Sequence, residues 1–249
     1  MKQRTWLGCI VVLLSLPVGV AAAEPYADIE SGVAFSGYND VRIPRDTGTE
    51  FSLTDDLASD RVPFFRIRVG LAMGRHDVSL LAAPLRIDAS GVPEEAIDYQ
   101  NVRFPAGSRV DARYRFDSYR LSYLYRVKET KSWKVGVGVT GKIRDAEIRL
   151  ESEERDASKK DTGFVPLLGV RVEWLPTSSF GLLLEGDALA SPGGQGRAED
   201  LFVGGTYRPT GRLELRAGYR ILEGGADVDT VYNFALVHYV SLGVRVLLG

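Results

Sequence analysis

Residues 133–151, WKVGVGVTGKIRDAEIRLE, alternate a large apolar residue with a small or charged one and then become charged on both sides. A strand sends successive side chains to opposite faces, so the segment has an apolar face from Trp133 to Ile143 and a polar face with Lys142 and Arg144. The apolar band matches the ~9 to 11 residues that a tilted strand needs to cross the hydrocarbon of a bilayer. The segment therefore predicts a transmembrane β-strand whose charged end projects beyond the membrane.

The same two-residue period recurs along the chain. Clear segments lie at 64–73, 118–127, 167–174, 180–187, 213–222 and 239–248, and weaker ones lie at roughly 26–43, 77–88 and 197–208. Each is bounded by turn-type residues, whereas no convincing helical period is found. The sequence predicts an all-β, up-and-down antiparallel transmembrane β-barrel of ten strands. A barrel of eight strands with one extra surface hairpin is the alternative.

The connections between these segments alternate in length. Short turns with Gly, Pro or Ser are expected at 74–77, 128–132, 175–179 and 208–212, and longer polar loops at 44–61, 89–109, 150–163, 191–196 and 223–231. Short turns at one end and long loops at the other are typical of a meander whose two ends face different environments.

The N-terminal segment has the features of a secretion signal. Lys2 and Arg4 precede an apolar run, and three alanines precede Glu24. This pattern predicts that residues 1–23 are a cleaved signal peptide, which leaves residues 24–249 as one barrel domain. A retained membrane anchor is the alternative, which the short run, broken by proline and glycine, disfavours.

Cysteine content and charge exclude some classes of function. Cys9 lies inside the predicted signal, so the mature chain would have no disulfide and no thiol chemistry. Without Lys2 and Arg4, the 31 basic residues fall to 29, against 33 acidic residues. This balance gives no electrostatic reason to expect nucleic acid as a partner.

A soluble β-sandwich also alternates, so other features must decide between the two folds. Charged residues recur beside glycine on the polar face, which suits a narrow closed interior. Aromatic residues also cluster at strand ends next to the short turns, as in the interfacial belt of a membrane barrel. The predicted belt consists of Tyr125, Trp133, Trp174, Phe180 and Tyr207.

The signal, the alternating strands and the unequal loops together resemble the small bacterial outer-membrane β-barrel proteins. The resemblance covers residues 24–249 and is architectural. It implies a cell outer membrane location after export, contact with outer-membrane lipid and lipopolysaccharide, insertion by the barrel-assembly machinery, and a monomer. That class usually ends in an aromatic residue used in assembly, whereas this chain ends in Leu247-Leu248-Gly249.

The inward-facing positions carry many charges. The predicted lumen-lining residues are Arg66, Arg68, Arg120, Lys142, Arg144, Arg171, Glu173, Glu185, Asp187, Glu214, Arg216 and Arg220, and Arg126, Lys134 and Arg245 share this face. Because charges removed from water need partners, we expect a mostly filled, salt-bridged interior. The excess of cations leaves a narrow, anion-preferring pore as an alternative.

Candidate catalytic groups are sparse. Barrels that deacylate lipids place a His-x-Ser arrangement on the lipid-facing surface, but here His238 and Ser241 fall on opposite faces. Surface proteases of the omptin family pair acidic residues with an Asp-His couple at the rim, and Asp227 and Asp229 lack a nearby histidine there. His76 beside Asp77 is placed in a tight turn, where both residue types are ordinary.

The acidic segments 52–56 and 222–229 do not have the spacing of an EF-hand, so no metal or cofactor is expected. The expected role is non-enzymatic, either structural or in surface interaction. A pore and a lipid-modifying enzyme or protease are the alternatives.

Overall fold

The computed structural model describes residues 23–190 and 196–249. The signal peptide predicted for residues 1–23 lies outside the described residues, except for Ala23. All regular elements in the described chain are β-strands, and no helix there is long and apolar enough to cross a bilayer.

Residues 23–190 and 196–249 contain fifteen strands, numbered here in chain order. Those that build the barrel are β1 Ala23–Arg42, β4 Val62–Met73, β5 His76–Ala83, β6 Arg86–Gly91, β9 Val110–Glu129, β10 Trp133–Glu151, β11 Asp156–Trp174, β12 Phe180–Ala190, β13 Gly196–Thr210, β14 Leu213–Val228 and β15 Val231–Leu247. The remaining short strands are β2 Phe51–Ser52, β3 Ala58–Ser59, β7 Ile97–Tyr99 and β8 Val102–Phe104.

One barrel strand is interrupted at Pro84. Both β5 and β6 pair with β9, so together they take one place in the barrel wall. Proline has no N–H to donate to the ladder. The Leu85 N–H donates instead to Asp117 Oδ1 at 3.3 Å, and the Leu85 carbonyl accepts from the Phe116 N–H at 2.8 Å.

The first and last strands close the barrel. β1 and β15 pair antiparallel from Tyr26 opposite Leu247 to Arg42 opposite Tyr232. Each other barrel strand pairs with its neighbours in chain order. The predicted all-β, ten-stranded up-and-down barrel is therefore confirmed, and the eight-stranded alternative is wrong.

Two of the predicted long loops are strands. β10 runs to Glu151 and β11 begins at Asp156, while β14 runs to Val228 and β15 begins at Val231. The prediction of loops at 150–163 and 223–231 was therefore wrong. Both faces of these strand ends are largely polar or glycine-rich, so the alternation of apolar and polar residues does not reveal them. The ladder continues there although the alternation that reveals it has stopped. The long loops of the described chain are 43–61 and 92–109.

The barrel has its apolar residues outside and much of its charge inside. Phe65, Leu168 and Leu242 face outward with exposed fractions of 58%, 65% and 65%. A soluble β-sandwich would bury such residues between its sheets. The expected arrangement, with apolar side chains outside and charged side chains inside, is therefore present. It gives the barrel a continuous apolar outer surface.

The interior is divided along the barrel axis. The end with connections 74–75, 130–132, 175–179 and 211–212 is the short-turn end, and its half of the interior holds charged side chains. The long-loop half holds two buried apolar clusters, which we call the apolar layer. Residues of the long loops extend this layer and cover the long-loop end of the barrel: Ile43, Phe51, Leu53, Leu57, Ile97, Tyr99 and Phe104.

Candidate functional site

Arg220 lies at the centre of a buried ionic network that fills the short-turn half, which we call the charged layer. Its side chain is 2% exposed and contacts three carboxylates from three other strands. It donates to Glu30 at 2.8 Å and to Glu185 at 3.1 Å, and it also donates to Asp200. The guanidinium is planar and has several donors, which lets one arginine join several strands.

Asp200 is the matching centre on the acidic side. Besides Arg220, it accepts from Arg66 at 3.0 Å and from Arg120 at 2.5 Å. Arg120 also donates to Asp187 at 3.0 Å. Because every member has an opposite charge close by, the desolvation cost of each charge is offset by its partners.

The network continues toward the short-turn end. Arg171 contacts Glu173 at 2.9 Å and Glu185 at 2.8 Å. Arg208 contacts Glu173 at 2.8 Å and Glu214 at 2.5 Å. Two further pairs join the first barrel strand to others: Arg68 with Asp28 at 3.8 Å, and Arg216 with Asp28.

Most of the predicted lumen-lining residues meet in the charged layer. These are Arg66, Arg68, Arg120, Arg171, Glu173, Glu185, Asp187, Glu214, Arg216 and Arg220. Lys142 and Arg144 lie closer to the long-loop end and line a separate cavity. Of the others on this face, Arg126 pairs with Glu129, Arg245 lies 3.7 Å from Asp77, and Lys134 lines the space at the short-turn end.

Four members of the network were missed from the sequence: Asp28, Glu30, Asp200 and Arg208. Three of them are acidic, so the sequence overestimated the excess of inward cations. Asp28 and Glu30 alternate with Ile29, and this period could have placed them on the inner face. Asp200 lies in the weakly patterned segment 197–208, whose register the sequence did not determine.

Separate cavities follow one another along the interior. At the short-turn end the space is about 250 Å³, and within the charged layer it falls to about 70 Å³. Between the charged layer and the apolar layer, beside Phe64, Phe116 and Tyr239, it is about 10 Å³. That is about the minimum for one water molecule. A larger cavity of about 580 Å³ lies in the long-loop half.

The predicted aromatic belt residues lie at the short-turn end. Trp133 is opposite Trp174 in the strand register, with ring centroids 6.3 Å apart. Phe180 and Tyr207 stack at 4.8 Å, and Tyr125 packs edge-on to His76 at 5.2 Å. The two tryptophans, Phe180 and Tyr207 are exposed on the outer surface.

Solved structures provide the comparison for this architecture, because no known family and no curated protein sequence matches the chain. The outer membrane protease OmpT from Escherichia coli has a TM-score of 0.54 at 9% identity, covering 90% of this chain and 96% of its own. The chain has the fold of the small bacterial outer-membrane β-barrel proteins.

Other outer-membrane barrels resemble it less closely in geometry. Ail, the attachment invasion locus protein of Yersinia pestis, has a TM-score of 0.39 at 11% identity, covering 89% of this chain and 99% of its own. The transport unit of the autotransporter AIDA-I from Escherichia coli has a TM-score of 0.46 at 7% identity, covering 95% and 93%. At such identities the likeness concerns the barrel fold alone.

Both histidines lie beside tyrosines, and His238 and Ser241 lie on opposite faces of their strand, as the sequence predicts. Ser241 faces the interior and donates to Glu30 at 2.8 Å. His238 faces outward, with Nδ1 2.7 Å from the Tyr219 hydroxyl. His76 begins β5, and its Nδ1 lies 2.8 Å from the Tyr123 hydroxyl. Its neighbour Asp77 points inward and accepts from Tyr26.

The rim aspartate Asp227 holds loop 43–61 to the barrel. Arg45 donates to it at 2.6 and 3.3 Å. Among the described residues, no group of three or more His, Cys, Asp or Glu side chains is arranged to hold a metal. The rim contact is therefore an ion pair between loop and strand.

We expect this contact to weaken in acid. The hydrogen bonds and charge of Arg45 lower the pKa of Asp227. A carboxyl whose pKa is lower in the folded protein than in the unfolded chain stabilises the folded state. This stabilisation is complete at pH values above the unfolded pKa of about 3.9, and it is lost as the pH falls through the pKa of the folded state. A carboxyl-carbon NMR titration should show a higher midpoint for Asp227 in Arg45→Gln than in the native protein. Arg103→Gln, in the other long loop, should leave the midpoint unchanged, and equal midpoints in all three proteins would contradict the assignment.

Proposed function

We propose that the protein is an integral outer-membrane β-barrel with a closed interior and a non-enzymatic role, structural or in surface interaction. Support comes from the apolar outer surface, which suits acyl chains, and from aromatic pairs such as Trp133 with Trp174 at one edge of it. Outer-membrane lipid and lipopolysaccharide would surround the barrel. We further propose that the barrel-assembly machinery inserts the protein and that it acts as a monomer.

The observation that carries the closed interior is its packing: the free space is about 70 Å³ within the charged layer and about 10 Å³ between the charged and apolar layers. A hydrated ion would have to displace paired groups such as Arg120 and Asp200, which are bonded at 2.5 Å. Breaking a buried ion pair is costly because it leaves an uncompensated charge. The carboxylates that pair with the inward arginines also reduce the positive surplus on which the anion-pore alternative rested.

We expect purified protein to give no stepwise conductance in a planar lipid bilayer. A porin purified in the same way serves as the positive control, and a shift between unboiled and boiled protein on a gel confirms that the barrel is folded. Reproducible conductance steps from the folded protein, absent from mock preparations, would replace the closed interior with a pore.

The long-loop end presents charged side chains on a packed base. The ion pairs Arg103–Asp98 and Arg113–Asp88 are exposed, at 2.8 and 2.7 Å. Beneath them, loop residues such as Tyr99 are fully buried. A fixed surface of mixed charge suits contact with a partner outside the cell. Cleavage of a peptide substrate or modification of lipid A by the purified protein would contradict the non-enzymatic role.

A further inference from the structure

The cavity of about 580 Å³ in the long-loop half has no part in closing the barrel. Strands β9, β10 and β11 line one side of it and β13, β14 and β15 the other, with Leu189 of β12 between them. Its apolar lining includes Tyr114, Phe116, Ile148, Leu222 and Val237. The volume falls within the ~300–1,000 Å³ of pockets that hold small organic ligands.

Lys142 lines this cavity, and no carboxylate of the described residues forms an ion pair with it. The side chain is 2% exposed, and its Nζ lies 4.7 Å from the centroid of the Phe116 ring. The ion pairs formed within residues 23–190 and 196–249 do not include it. The segments 1–22 and 191–195 contain no Asp or Glu in their sequence. Lys142 therefore differs from the arginines of the charged layer, which are paired.

Arg144 adds a second unused donor to the same cavity. Its terminal nitrogen pairs with Asp161, but its buried Nε has no hydrogen-bond partner in the described chain. A buried charge or donor without a partner is unfavourable. Three carboxylates also line the cavity, and each is paired with an arginine: Glu147 with Arg115, Asp161 with Arg144, and Glu223 with Arg197. The two unused donors, set in a mostly apolar lining, therefore point to a ligand that carries a negative charge.

We propose that this cavity binds a free carboxylate with a single alkyl chain. The carboxylate would pair with Lys142 and accept from Arg144 Nε, and the chain would pack against Ile148 and Val237. A neutral apolar molecule would leave Lys142 unpaired, whereas an inorganic anion would leave the apolar walls unfilled. Exposed rim residues, among them Asp161 and Arg197, show that the cavity reaches the surface.

The test uses laurate labelled with carbon-13 at the carboxyl, added to the protein in phosphatidylcholine nanodiscs. Protein-free nanodiscs measure partition into lipid, and NMR of the carboxyl carbon separates bound from free laurate. We expect one laurate per protein, and competition experiments should show that dodecanol binds about 10- to 100-fold more weakly.

Lys142→Met tests the charge while keeping an apolar chain of similar length. It should weaken laurate binding by about 10- to 100-fold and leave dodecanol binding unchanged. Lys134→Met is the matched control, because Lys134 lies on the same strand and lines the cavity at the short-turn end. Ala146→Phe, which fills the proposed cavity, should abolish binding of both molecules. The gel shift of unboiled protein shows that each variant is folded.

Several results would overturn the proposal. Equal affinity for laurate and dodecanol, or undiminished laurate binding by Lys142→Met, would remove the anion site. Displacement of laurate by phosphatidylglycerol in the nanodisc would assign the cavity to a membrane lipid. Absence of laurate binding to the native protein would exclude the free carboxylate altogether. These outcomes are independent of the conductance measurement.

Discussion

Arg220→Met should destabilise the barrel by about 3–5 kcal/mol, because removal of one partner leaves buried charges uncompensated. Arg220 joins Glu30, Glu185 and Asp200, all of them nearly inaccessible to water. Methionine fills much of the arginine volume, so the loss reflects charge more than packing. The measurement is the free energy of unfolding in denaturant, followed by the shift of the unboiled protein on a gel.

Arg113→Met is the matched control for this substitution. Arg113 also lies on a barrel strand and pairs with Asp88 at 2.7 Å, but the two side chains are 60% and 52% exposed. An exposed ion pair contributes about 0–1 kcal/mol. If the two variants unfolded at the same denaturant concentration, the charged layer would not hold the barrel together.

Tyr99→Ala should release loop 92–109 from the barrel while leaving the barrel itself closed. Tyr99 is fully buried, packs edge-on to Phe51 at 6.0 Å, and donates its hydroxyl to the Ile148 carbonyl at 2.8 Å. Loss of a buried aromatic ring costs about 3–5 kcal/mol, which raises the population of the open loop by roughly 10²-fold or more. Trypsin cleavage after Arg103 and Arg109 should accelerate accordingly.

Tyr99→Phe separates the ring from its hydroxyl. It keeps the apolar contacts and leaves only the Ile148 carbonyl without its donor, a loss of about 1–3 kcal/mol. Cleavage should therefore be faster than in the native protein and slower than in Tyr99→Ala. Unchanged proteolysis of Tyr99→Ala would show that Tyr99 does not hold the loop down.

The barrel wall was predictable because one physical rule acts on every spanning strand. Trp133 to Ile143 must be apolar on one face and compatible with a closed interior on the other, and this gives a period that a single sequence reveals. Beyond Ile143 that rule no longer applies. The continuation of β10 to Glu151 depends on pairing with β9 and β11, which no local pattern reports.

The interior was only partly predictable. Inward arginines such as Arg66 were found because clear alternation gave their register, whereas Asp200 was missed in a weakly patterned strand. The apolar layer was not expected. Tyr114 and Ile148 face inward above the membrane-spanning band, where an apolar side chain is buried by loops instead of lipid. Which loop residues cover them depends on contacts such as Tyr99 to Ile148, between distant parts of the chain.

The charged layer also constrains how the barrel can be assembled. Arg220 and Glu30 are 190 positions apart in the chain, and Arg66 and Asp200 are 134 apart. An unfinished sheet in contact with acyl chains would carry these groups without their counterions, at a high energetic cost. Neutralisation is complete only when the first and last strands have met, so insertion and closure should proceed as one concerted event. A half-built intermediate would remain at the water interface until its final strand arrives.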